Sequence, residues 1–191
     1  VNYFNTPPQN FIRVDDSKST VLDVEKALKN QGVSCDIFSS RFVRIFEGYT
    51  KLLKTSLFRD GKISIQNPAS ASVVDCLGAG FNDSVLDVCA APGTKSLYLA
   101  NIVGENGKIF ASDIDNSRIL KAKADVKRHR KYNIKWEQKD ASKAEYEMSK
   151  FILIDAPCTG TGIIRRKPDI RWRRKSSDIK LMSKIQLKIL N

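Results

Sequence analysis

The chain has 191 residues, 41% of them hydrophobic, and carries 33 lysines and arginines against 21 acidic residues and one histidine. This apolar content can bury a core of one or two domains, which excludes a disordered or collagen-like chain. No apolar run approaches a membrane span, and the first residues show no signal-peptide pattern. The four cysteines form no CxxC pair, which disfavours a zinc site or disulfide scaffold and predicts free thiols in a reducing cytosol.

The net charge of +12 is concentrated in two segments. Residues 118–135 hold eight basic residues and one acidic residue, and residues 165–188 hold ten and two. The remainder has 15 basic and 18 acidic residues, so a near-neutral body carries two basic segments, which is typical of a polyanion binder. A solvated helix face is an equal alternative for the first segment. In the second, arginines surround Trp172, a combination that suits phosphates and unpaired bases.

Residues 1–68 are predicted to form a small α+β subdomain that serves as an RNA-binding or linker unit. Ser19 or Thr20 can cap a helix that ends before Gly32, residues 42–58 are ambiguous, and Pro68 marks the boundary. The predicted strands of this unit are Phe11–Val14, Val33–Phe38 and Lys62–Gln66.

Residues 69–191 alternate between strand and helix, which predicts an α/β domain with a doubly wound parallel sheet. The predicted strands are Val85–Val88, Lys108–Ser112, Ile134–Gln138 and Phe151–Ile154. The predicted helices are Ser70–Leu77, Thr94–Ile102, Asn116–Lys131 and Asp178–Leu190.

Acidic residues stand at the carboxyl ends of all four predicted strands. They are Asp87, Asp113 with Asp115, Asp140 and Asp155. Ligands of open parallel sheets bind at this edge, and the loop after the first strand lacks the GxGxxG of a dinucleotide site. Acidic strand ends favour a ligand with ribose hydroxyls and positive charge, and S-adenosylmethionine has both. Asp113, at the end of the second strand, is placed to accept hydrogen bonds from the ribose diol.

Two long motifs carry a family resemblance. DVCAAPGTKS (87–96) and ILIDAPCTGTGIIRRKPDIRW (152–172) resemble the Sun/Fmu (RsmB-type) family of S-adenosylmethionine-dependent RNA cytosine-5 methyltransferases, and the match runs from about Arg13 to the last residue. Thr94 stands where that family usually has glycine, and Lys167 where histidine is common. The resemblance implies a class I (Rossmann-like) methyltransferase sheet of seven strands. Four of these can be read here, so the domain is expected to be incomplete at its C-terminus.

The resemblance also implies roles for individual residues. Asp155 would lie between the cofactor and the cytosine, and Lys95 would approach the base or a phosphate unless it forms a structural ion pair. The cofactor-binding set is Cys89, Ala90, Ala91, Pro92, Gly93, Thr94, Lys95, Asp113, Asp140 and Asp155. The RNA-binding set is Arg165, Arg166, Lys167, Arg171 and Arg174.

The catalytic residues implied are Cys158 and Asp155. In the family a thiolate adds to carbon 6 of cytosine and so activates carbon 5 towards methylation. The Pro-Cys cysteine, here Cys158, assists product release, whereas the attacking cysteine belongs to a later Thr-Cys-Ser motif that this sequence does not contain. The chain alone is therefore expected to be inactive.

The expected function is formation of 5-methylcytosine in small-subunit ribosomal RNA by a cytoplasmic, metal-free monomer that is not bound to membranes. A transfer RNA cytosine methyltransferase and a non-catalytic RNA-binding fragment remain alternatives. A DNA cytosine methyltransferase would share Pro-Cys but not the residues that follow it. An amino-directed methyltransferase would need an Asn/Asp-Pro-Pro-aromatic motif, which is absent.

Overall fold

The computed structural model describes residues 5–191, which form two four-stranded sheets with their helices. None of the helices in this range has both the length and the apolar character needed to cross a bilayer.

The first sheet is antiparallel and has the strand order β2-β3-β1-β4. Its elements are β1 (Asn10–Val14), α1 (Val21–Asn30), β2 (Ser34–Ser39), β3 (Phe42–Glu47), α2 (Tyr49–Leu52), α3 (Ser56–Arg59) and β4 (Ile63–Ile65). The predicted strands and helix are confirmed to within a few residues. The ambiguous segment 42–58 forms a strand followed by two single-turn helices.

Helix α1 illustrates how local sequence and packing agree. The Thr20 side chain accepts a hydrogen bond from the Asp23 backbone N–H at 3.1 Å, which satisfies one of the free donors at the helix start. Val24 and Leu28, one turn apart, are fully buried against the sheet. The apolar face of α1 therefore completes the core of the first sheet.

The second sheet is parallel throughout, with the strand order β7-β6-β5-β8. Its elements are α4 (Pro68–Cys76), β5 (Ser84–Val88), α5 (Thr94–Val103), β6 (Lys108–Asp113), α6 (Asn116–His129), β7 (Ile134–Gln138) and β8 (Phe151–Ile154). The predicted alternation and parallel pairing are confirmed. The chain runs outward from β5 through β6 to β7 and then returns to the other side of β5, so the strand order reverses between β5 and β8.

The two sheets meet along a packed boundary. Phe11 and Phe42 of the first sheet belong to the same core cluster as Tyr98 of α5. Arg13 is 2% exposed, lies 4.3 Å from the centre of the Tyr98 ring and donates to the Gln66 side chain at 2.6 Å. A buried arginine with both an aromatic and a hydrogen-bonding partner fixes the contact. The division after residue 68 and the RNA-binding role of residues 1–68 stay predictions.

The last part of the chain contains a 3₁₀ turn (Thr161–Ile163), α7 (Ile170–Arg173) and α8 (Ser176–Leu190). Helix α8 begins two residues before the predicted Asp178 and has no buried residue. The Gln186 side chain donates to the Pro157 carbonyl at 2.9 Å, which ties α8 to the loop that follows β8.

Candidate active site

The carboxyl ends of β5, β6 and β8 are joined by backbone hydrogen bonds beyond the strands. The Ala90 N–H donates to the Ser112 carbonyl at 2.8 Å, and the Asp155 N–H donates to the Val88 carbonyl at 3.2 Å. The loops after β5 and β8 consequently flank the crevice where the strand order reverses. In open α/β sheets this crevice is the ligand site.

Asp113, at the end of β6, holds the loop that follows β5. Its carboxylate accepts from the backbone N–H groups of Ala91 and Asp115, both at 3.0 Å, and is 3% exposed. The Arg118 guanidinium lies 3.4 Å from the same carboxylate and also donates to the Ala91 carbonyl. A carboxylate has about four acceptor positions, so Asp113 can bind a further donor while it holds the loop.

The loop 89–95 makes a sharp turn into α5. Cys89 and Gly93 both have left-handed backbone conformations, with φ of 60° and 94°. A Cβ atom on Gly93 would lie 3.0 Å from the Trp136 ring and 3.1 Å from the Ala122 side chain. Glycine therefore permits the close approach of this loop to β7 and α6. The predicted site residues Ala90, Ala91 and Pro92 lie in the same turn, and Thr94 is the first residue of α5.

Cys89 is not suited to be a nucleophile. Burial raises the pKa of its thiol to about 11, and the nearby Asp113 and Asp155 carboxylates add to the shift. The thiolate is the reactive form of cysteine, and little of it exists at neutral pH with such a pKa. This agrees with a role for Cys89 through its backbone.

Asp87 is a functional candidate that the predicted cofactor-binding and catalytic sets do not include, although it is one of the acidic residues at the strand ends. It is fully buried, and one carboxylate oxygen accepts from the Ser96 hydroxyl at 2.6 Å. The other oxygen has no hydrogen-bond partner within residues 5–191. Burial raises the pKa of Asp87 to about 7. The signal in the sequence was an acidic residue within an otherwise apolar strand, directly before the loop.

Lys95 and Asp155 form an ion pair across the crevice, with 2.6 Å between Nζ and Oδ2. Lys95 lies in the first turn of α5, and Asp155 follows β8. The lysine side chain is 15% exposed and the aspartate side chain 58% exposed. Of the two alternatives for Lys95, the structure contains the ion pair, and its partner is the predicted catalytic carboxylate.

Cys158 is exposed, three residues after Asp155, in a loop held from both sides. The Pro157 carbonyl accepts from Gln186, and the Thr159 carbonyl accepts from the Arg174 side chain at 2.8 Å. The thiol is therefore accessible in a loop whose backbone is fixed. The structure places Cys158 at the same edge of the sheet as the Lys95–Asp155 pair.

Asp140 follows β7 and closes a turn. Its carboxylate accepts from the backbone N–H and the hydroxyl of Ser142, at 3.1 and 2.7 Å. These hydrogen bonds from Ser142 hold the pKa of Asp140 below its usual value. The carboxylate thus has a structural role in the turn, besides the predicted contact with the cofactor.

Most of the predicted RNA-binding side chains make contacts within the chain. Arg165 donates to the Pro7 carbonyl at 2.6 Å, and Arg171 donates to the Asn5 side chain at 3.0 Å. Arg166 lies 3.4 Å from the Gln9 carbonyl. Lys167 is exposed. Arg165, Arg166 and Arg171 are therefore held by residues 5–9, which the sequence did not indicate, whereas Arg174 is held by Thr159.

The first basic segment divides into structural and exposed groups. Arg128 donates to the Phe58 carbonyl, and Lys131 lies 3.5 Å from the buried Asp15 carboxylate. These two side chains attach the end of α6 and the residues after it to α3 and to the residue that follows β1. The exposed basic members are Arg118, Lys121, Lys123, Lys127, Arg130 and Lys135, of which Arg118 also pairs with Asp113.

No group of three or more histidine, cysteine, aspartate and glutamate side chains within residues 5–191 is arranged to hold a metal ion.

The parallel sheet and its acid-lined crevice define a Rossmann-like methyltransferase fold of class I, as the sequence predicted. A model of the family described as 16S rRNA methyltransferase RsmB/F matches residues 75–191. The chain belongs to this family, which confirms the resemblance seen in its motifs.

Similar proteins support this assignment. A probable ribosomal RNA small subunit methyltransferase B of Bacillus subtilis (strain 168) is 33% identical over 193 residues, and the match covers 96% of this chain but 42% of that protein. The crystal structure of PH0851 is 34% identical, with a TM-score of 0.91 over 99% of this chain and 44% of that one. The structure of NSun6 from Pyrococcus horikoshii with SFG shares the fold, with a TM-score of 0.86 at 18% identity over 99% of this chain and 73% of that one. The chain thus spans less than half the length of the curated relative.

Proposed function

We propose that this protein binds S-adenosylmethionine and RNA and serves to form 5-methylcytosine in small-subunit ribosomal RNA. One observation carries the proposal. The crevice at the reversal of strand order brings together the loop held by Asp113, the Lys95–Asp155 pair and the exposed thiol of Cys158. A cofactor loop, an acidic group and a thiol that assists release support this chemistry, which needs the attacking thiol in addition.

The residues of the crevice fit S-adenosylmethionine, which supplies an electrophilic methyl group on a positively charged sulfur. The unpartnered, fully buried oxygen of Asp87 calls for a hydrogen-bond donor or a cation. We assign Asp113 to the ribose hydroxyls and Asp140 to the adenine amino group. The backbone of the loop Cys89 to Lys95 would hold the methionine part.

The remaining groups of the crevice are assigned roles in the reaction at the cytosine ring. Carbon 5 of cytosine is a weak nucleophile until a thiolate adds to carbon 6, and an acidic group beside the ring assists that addition. Once carbon 5 is methylated, a base removes its proton and the thiolate leaves carbon 6. We assign the acidic role to Asp155, which Lys95 holds in position. Cys158 assists release of the methylated base, by analogy with the family. The attacking cysteine is the one in Thr-Cys-Ser, a motif not found in these 191 residues.

Ribosomal RNA is favoured over transfer RNA because the matching family and the curated relative both carry small-subunit ribosomal RNA names. The net charge of +12 and the arginines near Cys158 support a polyanionic substrate. We propose that residues 1–68 contribute to RNA binding. A cytoplasmic, metal-free monomer is also proposed, since ribosomal RNA is a cytosolic substrate in bacteria and the cysteines are free.

The proposal is tested by incubating the protein with methyl-labelled S-adenosylmethionine and small-subunit ribosomal RNA, and identifying the labelled nucleoside after digestion. For a polypeptide of these 191 residues we expect cofactor and RNA binding without label transfer. Supplying the Thr-Cys-Ser region in a longer polypeptide should yield 5-methylcytidine. In that polypeptide, Cys158→Ala should accumulate a covalent RNA adduct.

Three outcomes would contradict parts of the proposal. Label on a base other than cytosine would exclude cytosine-5 chemistry. Efficient transfer by the 191 residues alone would show that the attacking thiol lies within them. Normal turnover by Cys158→Ala would remove the assigned role in release.

A further inference from the structure

We propose that Trp172 is a stacking platform for an unpaired nucleobase of the RNA, next to the target cytosine. The inference rests on the proposed RNA substrate and adds a base-binding residue to it. Trp172 lies in the single-turn helix α7 and is 78% exposed. Tryptophan is among the more buried residues on average, so an indole left largely in water indicates a surface that meets a partner.

The position of Trp172 is fixed relative to the loop of Cys158. Ile170, two residues earlier, is buried, and its side chain packs 3.3 Å from the position that a Cβ of Gly160 would occupy. Arg174, two residues later, donates to the Thr159 carbonyl. Contacts on both sides of Trp172 therefore reach the two residues that follow Cys158, so α7 lies against the loop that carries the thiol.

The basic residues around Trp172 indicate that its partner is a nucleic acid. Its neighbours Arg171, Arg173 and Lys175 are exposed, and the arginines suit phosphate groups. Every base has a π-face that can stack on an aromatic ring, and such stacking tolerates different sequences. A cytosine that must leave its stack to reach the crevice exposes the neighbouring base, which the indole can receive.

A second exposed aromatic residue provides a matched control. Tyr132 is 75% exposed and follows Arg130 and Lys131, but it precedes β7 and so lies at the amino edge of the sheet. It matches Trp172 in exposure and in basic neighbours, while lying away from the crevice. An effect that requires only an aromatic ring among basic residues would appear at both positions.

The experiment measures binding of a short single-stranded oligoribonucleotide that contains one cytosine, by fluorescence anisotropy of a label on the RNA. Trp172→Ala should weaken binding about tenfold, which is typical of one lost stacking contact. Trp172→Phe should retain most of the affinity, and Tyr132→Ala should bind like the unmodified protein. Replacing the base beside the cytosine with an abasic site should weaken binding to the unmodified protein but not to Trp172→Ala.

Indole fluorescence gives an independent readout. In Trp136→Phe the remaining tryptophan is Trp172, and the oligoribonucleotide should quench its emission. Unchanged affinity of Trp172→Ala together with unquenched emission would overturn the inference while leaving the proposed function intact. Failure of the unmodified protein to bind any RNA would instead contradict the proposed function and this inference with it. Equal losses in Trp172→Ala and Tyr132→Ala would also overturn the assignment.

Discussion

Lys95 Nζ lies 2.6 Å from Asp155 Oδ2 and joins the start of α5 to the loop after β8. The pair spans the crevice in which the strand order reverses. It holds a predicted catalytic carboxylate beside the loop assigned to the cofactor and partly balances the charge there. The charge of the crevice therefore depends on a lysine that the sequence could assign only ambiguously.

Replacing Lys95 should change the preference of the crevice for S-adenosylmethionine, a sulfonium, over S-adenosylhomocysteine, a thioether. Lys95→Met leaves one more uncompensated negative charge, so binding of S-adenosylmethionine should strengthen relative to S-adenosylhomocysteine, by roughly fivefold or more. Calorimetric titration with both compounds measures the ratio. Lys29→Met, which breaks the exposed pair with Glu25, should leave the ratio unchanged. An unaltered ratio in Lys95→Met would show that the pair lies outside the electrostatic reach of the cofactor.

Asp113→Ala should weaken S-adenosylmethionine binding by at least about tenfold. The substitution removes the acceptor of the Ala91 and Asp115 amides, and loss of such buried hydrogen bonds costs about 1–3 kcal/mol. Calorimetry measures the affinity, and denaturant unfolding measures the stability. Asp83→Ala, which removes an acceptor of the Gly80 amide before β5, should not alter cofactor affinity. Full affinity in Asp113→Ala would contradict the ribose assignment.

The carboxyl of Asp87 should make the folded state less stable as pH rises. Its pKa is about 7 in the fold and about 3.9 in an unfolded chain, so the folded state binds the proton more tightly. The contribution of this group to the free energy of unfolding therefore falls between about pH 4 and pH 7, by up to about 1.4 kcal/mol per pH unit. Asp87→Asn should gain stability relative to the unmodified protein across that window. Denaturant unfolding measures the free energy of unfolding of both proteins at each pH. A difference between them that does not change with pH would contradict this prediction.

His129 should make the folded state less stable as pH falls, which is the opposite of the effect of Asp87. Burial, and next the neighbouring Arg128, lower its pKa to about 3, against about 6.5 unfolded. The Arg128 guanidinium can only donate, and it lies 2.8 Å from His129 Nε2, so this nitrogen must be unprotonated. Stability from this group is lost as pH falls from about 6.5 to 3. His129→Gln should therefore gain relative stability on acidification, the reverse of Asp87→Asn, and a relative loss on acidification would refute the His129 assignment.

Gly93→Ala should destabilise the fold by about 2–4 kcal/mol, because left-handed backbone strain adds to overpacking against Trp136 and Ala122. Alanine substitutions at two other glycines separate the effect of backbone strain from the effect of overpacking. Gly78 has φ of 72° and open space around it, so Gly78→Ala should lose about 1–2 kcal/mol from strain alone. Gly162 has open space and no positive φ, and Gly162→Ala should stay within about 0.5 kcal/mol. Denaturant unfolding of the three variants tests the order.

The local sequence pattern was sufficient to predict most strands of the second sheet. The predicted strand Ile134–Gln138 has the observed bounds, and Asp113 and Asp155 stand at the carboxyl ends of β6 and β8, the two strands that flank β5. This succeeded because buried parallel strands are short apolar runs, and because the carboxyl ends of parallel strands share an edge. Residues 42–58 were ambiguous since they combine one strand with two single-turn helices, which have almost no periodicity of their own.

The sequence by itself determined the fold class, the family and the acidic edge, because strand periodicity and the two long motifs are local properties of the chain. Only the tertiary structure decided how each polar group is engaged. It pairs Lys95 with Asp155, buries Asp87 with one oxygen unpartnered, and attaches Arg165 to Thr6, 159 residues away in the chain. Such partners are remote in sequence, and hydrogen bonds between them depend on packing that no local pattern specifies.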